Sequence, residues 1–160
     1  MQTKLIPNLW FDTQAEEAAA FYISVFTNSR IVTVTHYTAG PRPAGTVMTV
    51  EFELDGQRFV AINGGPEFTF SEAVSFLITC EDQDEVDYFW AKLGEGGQEG
   101  PCGWLKDKYG LSWQVVPAGM DELFADPDPA RAQRAMQAMF GMTKLDLAAL
   151  LHAADGVPVG

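Results

Sequence analysis

The sequence predicts an α+β fold in which a βαβββ module occurs twice in series, with extra helices at the C-terminus. Two observations carry this reading. The first is a weak internal repeat. Ala18, Phe21, Tyr22 and Val25 in "TQAEEAAAFYISVF" (13–26) recur as Val86, Phe89, Trp90 and Leu93 in "DQDEVDYFWAKL" (82–93), each at the same displacement along the chain. Both sets follow the i, i+3, i+4, i+7 spacing of one helix face. The second observation is that each helix is preceded by one strand-like run, and each module closes in a hairpin.

In chain order, the first module opens with "KLIPNLWF" (4–11), a β-like run. Its helix is expected to start at Thr13, with Glu16 three residues on, in the pattern of a capping box. "RIVTVTHY" (30–37) is rich in β-branched residues, and "TVMTVEFEL" (46–54) alternates in part. Asp55-Gly56 then turns the chain into "QRFVAIN" (57–63), a strong hairpin signal. "TAGPRPAG" (38–45) is a loop and the best candidate for a lid; "GGPEFTF" (64–70) reads as the linker between modules. The second module begins with "AVSFLITC" (73–80), and its helix is capped by Asp82 with Glu85 three residues later. "GEGGQEGP" (94–101) is so rich in glycine that the strand there must be short or bulged. "CGWLK", "DKYG" and "LSWQVVP" (102–117) form the closing hairpin. Beyond it, Asp128 caps a helix over 129–140, and Thr143 with Asp146 opens another over 144–154. The organisation expected is a single domain over 1–120, with modules 1–63 and 71–117 and linker 64–70, followed by a helical appendage over 121–160.

The bulk numbers exclude whole classes of function. Apolar residues make up 47% of the 160, with 11 phenylalanines, enough for a real core. The net charge of −12 repels phosphate backbones and anionic lipid, so nucleic acid and membrane are not expected partners. No run approaches the length of a membrane span, and "MQTKLIPNLW" lacks the apolar stretch of a signal peptide. Cys80 and Cys102 lack metal-type spacing; two reduced thiols are expected, with a disulfide between them as the other reading. A cytoplasmic protein fits these features.

The stretches "LWFDTQAEEAAAFY", "FTNSRI", "LDGQRFVAINGGPEF", "AVSFLITCEDQDEVDYFW" and "CGWLKDKYGLSWQVVP" cover most of residues 4–117. Through them the chain resembles the vicinal oxygen chelate superfamily of glyoxalase I, bleomycin-resistance proteins and extradiol dioxygenases. The closer resemblance is to its PhnB-like branch, whose members are often labelled 3-demethylubiquinone-9 3-methyltransferase. The resemblance implies that the paired βαβββ modules form a curved, incompletely closed mixed sheet with the ligand in its hollow. It further implies a homodimer.

In metal-dependent relatives, His, Gln or Glu side chains on the first and last strands of each module hold one divalent ion. Carried onto this chain, the position four residues after Gly110 is Gln114, where glyoxalase-like relatives place a Glu. The counterpart counted from Gly56 is Val60. Ser75 opens the second module, and the matching place on the first strand falls near Ile6 or Asn8. Firm binding of a divalent ion needs two or more charged or imidazole ligands. This set offers amide, hydroxyl and hydrocarbon, so no metal and no other cofactor is expected.

The remaining candidates each carry two readings. His36 is a general base poised near neutral pH or, the preferred reading, a partly exposed strand residue. Trp10 shares parity with Asn8 and lines the hollow if Phe11 packs on the first helix. Trp113, of opposite parity to Gln114, points to a helix. Trp104 depends on how the "DKYG" turn closes. Cys102 is a nucleophile only if a base or cation lies near it in space. Asn63 is a turn residue or a pocket amide. Asp107 and Gly110 are explained by turn chemistry, and the "EDQDE" run (81–85) by a helix start. The ligand-binding set expected is thus Asn8, Trp10, His36, Val60, Asn63, Ser75, Cys102, Trp104 and Gln114.

The function expected is binding of an unidentified aromatic or amphipathic small molecule without a catalytic metal. The alternative is an enzyme of the same fold, either a methyltransferase, as the family label says, or a metal-dependent lyase or dioxygenase. Methyl transfer of the usual kind calls for a glycine-rich loop that opens a helix, and neither glycine-rich stretch here does so.

Overall fold

A computed structural model describes residues 3–156; residues 1–2 of the expected first module and 157–160 of the expected appendage lie outside them. The chain divides into two compact units, Met1–Phe70 and Ser71–Gly160.

The first unit contains β1 (Asn8–Phe11), α1 (Ala15–Val25), β2 (Arg30–His36), β3 (Val47–Leu54) and β4 (Gln57–Asn63). Its sheet has the order β1-β4-β3-β2, with β1 parallel to β4 and the other pairs antiparallel. Asp55 and Gly56 both have positive φ (49° and 80°), as a two-residue hairpin turn that follows strand twist requires. Alternation sends Val50, Phe52, Leu54, Phe59 and Ala61 to one face, where they are buried with Ala15, Ala18, Tyr22 and Val25 of α1. Tyr22 stacks on Phe52 at 6.3 Å and Phe52 on Phe59 at 5.5 Å. Each such ring contributes roughly 1.5–3 kcal/mol by leaving water.

The cap of α1 differs from the sequence expectation. The helix begins at Ala15, and neither Thr13 nor the N-cap Gln14 caps it through a side chain. The Ala15 N–H donates instead to Asn63 Oδ1 at 2.8 Å, from the end of β4. A cap supplied from 48 residues away leaves no local signature.

The second unit repeats the plan with β5 (Ser75–Cys80), α2 (Gln83–Gly94), β6 (Gln98–Glu99), β7 (Trp104–Lys106) and β8 (Ser112–Pro117), in the order β5-β8-β7-β6. Again the first and last strands pair in parallel. Both sheets are four-stranded, mixed and unclosed. Asp82 caps α2 by accepting from Glu85 N at 2.9 Å, as expected. β6 is only two residues long. Gly97 precedes it so closely to β7 that a Cβ there would fall 2.1 Å from the Lys106 carbonyl oxygen, which accounts for glycine at this point. Val86, Phe89, Trp90 and Leu93 are all buried, so the repeated apolar face is the core face of α2.

Three helices follow in the same unit: α3 (Met120–Phe124), α4 (Pro129–Phe140) and α5 (Leu147–Ala154). They share a core of Met120, Leu123, Ala135, Leu145, Leu150 and Ala154. Asp128 caps α4 as expected. α5 starts three residues later than the Thr143 pattern implied; its cap is Asp146, which accepts from Ala149 N at 3.0 Å. Among the described residues no helix is long and apolar enough to cross a membrane.

Candidate functional site

The second sheet has a helix-covered face and an open face. Trp113 and Val115 of β8 are buried on the covered side, where Trp113 packs beside Phe76 at 5.7 Å. Residues paired across strands share a face, so the register builds two rows on the open side. Ser75, Ser112, Lys106 and Gln98 make one row, and Leu77, Gln114 and Trp104 make the next. Gln114 Nε2 donates to Ser75 Oγ at 2.8 Å. The two positions that the resemblance matched to metal ligands in this module are therefore adjacent and joined by a hydrogen bond.

A cleft of about 480 Å³ opens here, lined by Glu72, Cys102, Trp104, Leu105, Lys106 and Ser112 among others. Its polar lining includes Glu72, Gln98, Glu99, Lys106 and Ser112. Lys106 Nζ pairs with the Glu72 carboxylate, and that hydrogen bond holds the Glu72 carboxyl below its ordinary range. An exposed pair of this kind is weak and easily exchanged. Ser112 is buried, and its Oγ has no hydrogen-bond partner. Leaving such a hydroxyl unpaired costs about 1–3 kcal/mol.

The rim of the cleft is held from the C-terminal segment. Cys102 adopts φ 59° and Gly103 φ 83°. This turn is fixed by Cys102 N donating to Met142 O and Gly103 N to Thr143 O, both at 2.8 Å. Gln83 ties the same segment to α2, donating to Leu145 O at 2.9 Å and accepting from Leu147 N at 2.8 Å. On the far side of β7 the Asp107 carboxylate is buried and organises the turn. Oδ1 accepts from Tyr109 N and Leu111 N, and Oδ2 from the indole N–H of Trp113 at 2.9 Å. That agrees with the turn role expected of Asp107.

In the first unit, Asn8 pairs with Val60 and Trp10 with Ile62, all on the face opposite α1. Phe11 is buried, and Trp10, next to it in the strand, lies on the other face with Asn8. Trp10 also packs edge-on to Phe68 at 5.0 Å and donates from Nε1 to Gly65 O at 2.9 Å, which seats the 64–70 segment. Asn8 is exposed and donates to Ile6 O. His36 lies exposed at the end of the edge strand β2. Asn63 is 6% exposed; besides capping α1 it donates from Nδ2 to Val47 O at 3.1 Å, so both ends of its amide serve the fold. Cys80 and Cys102 are free thiols. Burial, with Glu85 next in effect, pushes the Cys80 thiol up to about 12.

The structure thus gathers Ser75, Gln114, Trp104 and Cys102 within one unit. Asn63 is turned into the fold. Sequence reasoning passed over Glu72, Lys106 and Ser112. Ser112 had a signal: it stands two residues before Gln114 and shares its face. Lys106 had none until the hairpin register placed it opposite Ser112.

A divalent ion does not fit these donors. Asn8, Val60, Ser75 and Gln114 present no charge and no imidazole. Among the described residues no three His, Cys, Asp or Glu side chains come together as a set that could hold a metal. On the open face of the first sheet the Glu51 carboxylate, opposite Val60, is already held by Arg58 at 2.8 Å from Nε.

Two unclosed, four-stranded mixed sheets, each built from a βαβββ module, are the arrangement of the vicinal oxygen chelate fold. A family model described as 3-demethylubiquinone-9 3-methyltransferase matches residues 3–116, and the chain belongs to that family, the PhnB-like branch of the superfamily. A PhnB protein from Bacillus cereus is 39% identical over 72% of this chain and 100% of its own, with a TM-score of 0.65. Protein PA1353 from Pseudomonas aeruginosa shares the fold at 17% identity and a TM-score of 0.61, covering 72% of this chain and 98% of its own. The fosfomycin resistance protein FosX from Listeria monocytogenes does so at 11% and 0.53, covering 76% and 98%. No match was found among curated proteins.

Proposed function

We propose that this chain binds a small organic molecule on the open face of its second sheet and does so without a catalytic metal. One observation carries the reading: the cleft along β7 combines the Trp104 indole, apolar Pro101 and Leu105, and a few polar groups such as Lys106 and Ser112, the makeup of a small-molecule site. At the positions matched to the metal ligands of its relatives the chain offers two amides, a hydroxyl and a hydrocarbon. The family label speaks of methyl transfer. Neither glycine-rich segment supports it, because Gly64 and Gly65 pack around Trp10, and residues 94–100 lead into β6 and its turn. The ligand is aromatic or amphipathic, in keeping with Trp104.

A homodimer is part of the proposal. β2 is an edge strand whose Ile31, Val32 and Val34 are each close to 38% exposed, and such an edge invites cover. Two-fold pairing is the commonest way to supply it. Light scattering that returned 17.5 kDa at micromolar concentration would remove the dimer. For the central reading, the test is elemental analysis after dialysis together with a fragment screen followed by NMR. Less than a tenth of an equivalent of zinc, nickel, iron or manganese is expected, with fragments shifting resonances of β7 and β8. A full equivalent of metal, or no fragment touching those strands, overturns it.

A further inference from the structure

We propose that the cleft of the second unit is a site for planar aromatic carboxylates, in which the ligand's carboxylate replaces Glu72 on Lys106 while its ring lies on Trp104. This rests on the small-molecule reading above and adds the chemical class.

Three independent features converge. The first is register. Lys106 and Ser112 stand directly opposite each other on the open face, and Trp104 lies two residues from Lys106 on the same side of β7. A cation, a hydroxyl and an indole are thus presented within one short patch of regular strand, which is more rigid than a loop. The second is the orphaned hydroxyl. Ser112 is 1% exposed, lines the cleft, and has no partner for Oγ. A buried hydroxyl without a partner calls for an explanation, and a ligand oxygen entering beside Lys106 would supply one. A carboxylate has two acceptor oxygens, one for Ser112 Oγ–H and one for the Lys106 ammonium.

The third is that the cleft already holds a carboxylate in the expected manner. Glu72 occupies Lys106 from an exposed position outside the strands. It marks the class of group Lys106 takes and is held weakly enough to be displaced. The other carboxylate at the cleft, Glu99, is engaged by the Trp90 indole N–H at 3.0 Å from the covered side. It therefore does not compete for Lys106. With a net charge of −12 the protein as a whole disfavours anions, so selection for a carboxylate must come from Lys106.

The test uses the whole protein and two matched probes, 1-naphthoate and its neutral isostere 1-naphthamide, followed by calorimetry and by the indole N–H resonances, assigned for Trp104 with Trp104→Phe. Naphthoate should shift the Trp104 resonance and bind at least about tenfold more tightly than naphthamide, with affinity falling as salt rises. Lys106→Met should erase the preference for the acid, and Glu72→Gln should raise naphthoate affinity several-fold by freeing Lys106. Ser112→Ala should weaken naphthoate without loss of melting temperature, because it removes an unpaired hydroxyl. Equal binding of the two probes at Trp104, or a preference that survives Lys106→Met, overturns the carboxylate assignment and leaves small-molecule binding intact. A protein that binds neither probe, and no fragment of any charge on β7 or β8, overturns both.

Discussion

Replacing Asn63 by alanine separates a residue that builds the fold from one that meets a ligand. The side chain accepts from Ala15 N at the start of α1 and donates to Val47 O at the start of β3. It is 6% exposed, and Ala15 is fully buried, so water has no easy route to the amide left behind there. Each orphaned partner costs about 1–3 kcal/mol, and loss of a helix cap is typically about 1 kcal/mol. These overlap at Ala15, giving about 2–4 kcal/mol in all. For a chain of this length each kcal/mol lowers Tm by roughly 2–4 °C, so a fall of about 5–15 °C is expected. Asn8→Ala is the control. Asn8 is exposed and bonds only to Ile6 O next to it in sequence, and its loss should stay within about 0.5 kcal/mol. Thermal and urea denaturation read both variants. Fragment binding at Trp104 should be unchanged in Asn63→Ala at temperatures where it is folded. An Asn63→Ala protein as stable as the parent would refute the reasoning, since it would mean that α1 is capped locally after all.

Other variants probe the site and its supports. Asp107→Ala removes a buried acceptor of three hydrogen bonds and strands the Trp113 indole N–H; a loss of at least about 3 kcal/mol is expected, and a loss under 1 kcal/mol in urea denaturation would contradict it. Ellman's reagent at pH 8 should titrate Cys102 quickly and Cys80 only after denaturation; two fast thiols in the native protein would contradict the burial of Cys80. The same thiol sets a pH dependence. Its folded pKa, about 12, lies above the ordinary 9.0, so the unfolded chain loses its proton first, and stability present below pH 9 declines between pH 9 and 12. Cys80→Ala should flatten that decline, and an unchanged slope would assign it to other groups. Gln114→Leu removes the amide that faces the cleft row. It should weaken fragment binding by roughly 0.5–1.5 kcal/mol with little change in Tm, because half-exposed Ser75 can turn to water. A sharp fall in Tm with unchanged binding would make Gln114 a structural residue.

What the sequence could disclose tracks how local each cause is. The matched faces of α1 and α2 were legible because a helix face depends on spacing alone, and the Asp55-Gly56 turn because positive φ demands particular residues. Asp82 and Asp128 announced their helices because the cap lies next to what it caps. Thr13 misled for the opposite reason: its helix is capped by Asn63, and a side chain arriving from another strand writes nothing into the local pattern. The site divides along the same line. Strand parity placed Gln114 and Trp113 on opposite faces, since alternation has a period of two whatever surrounds the strand. Parity cannot tell which polar residues on a face the fold itself consumes. Asn63 and Ser112 look equally available in sequence, yet both ends of the first amide are engaged while the second hydroxyl is left bare. Lys106 was invisible for a further reason. Its meaning comes from standing opposite Ser112 in a hairpin whose register is set by the buried Asp107 carboxylate, so one residue of slip would turn Lys106 to the helix and dissolve the cleft. The chemistry offered to a ligand here is thus fixed by a turn whose own side chains never face it.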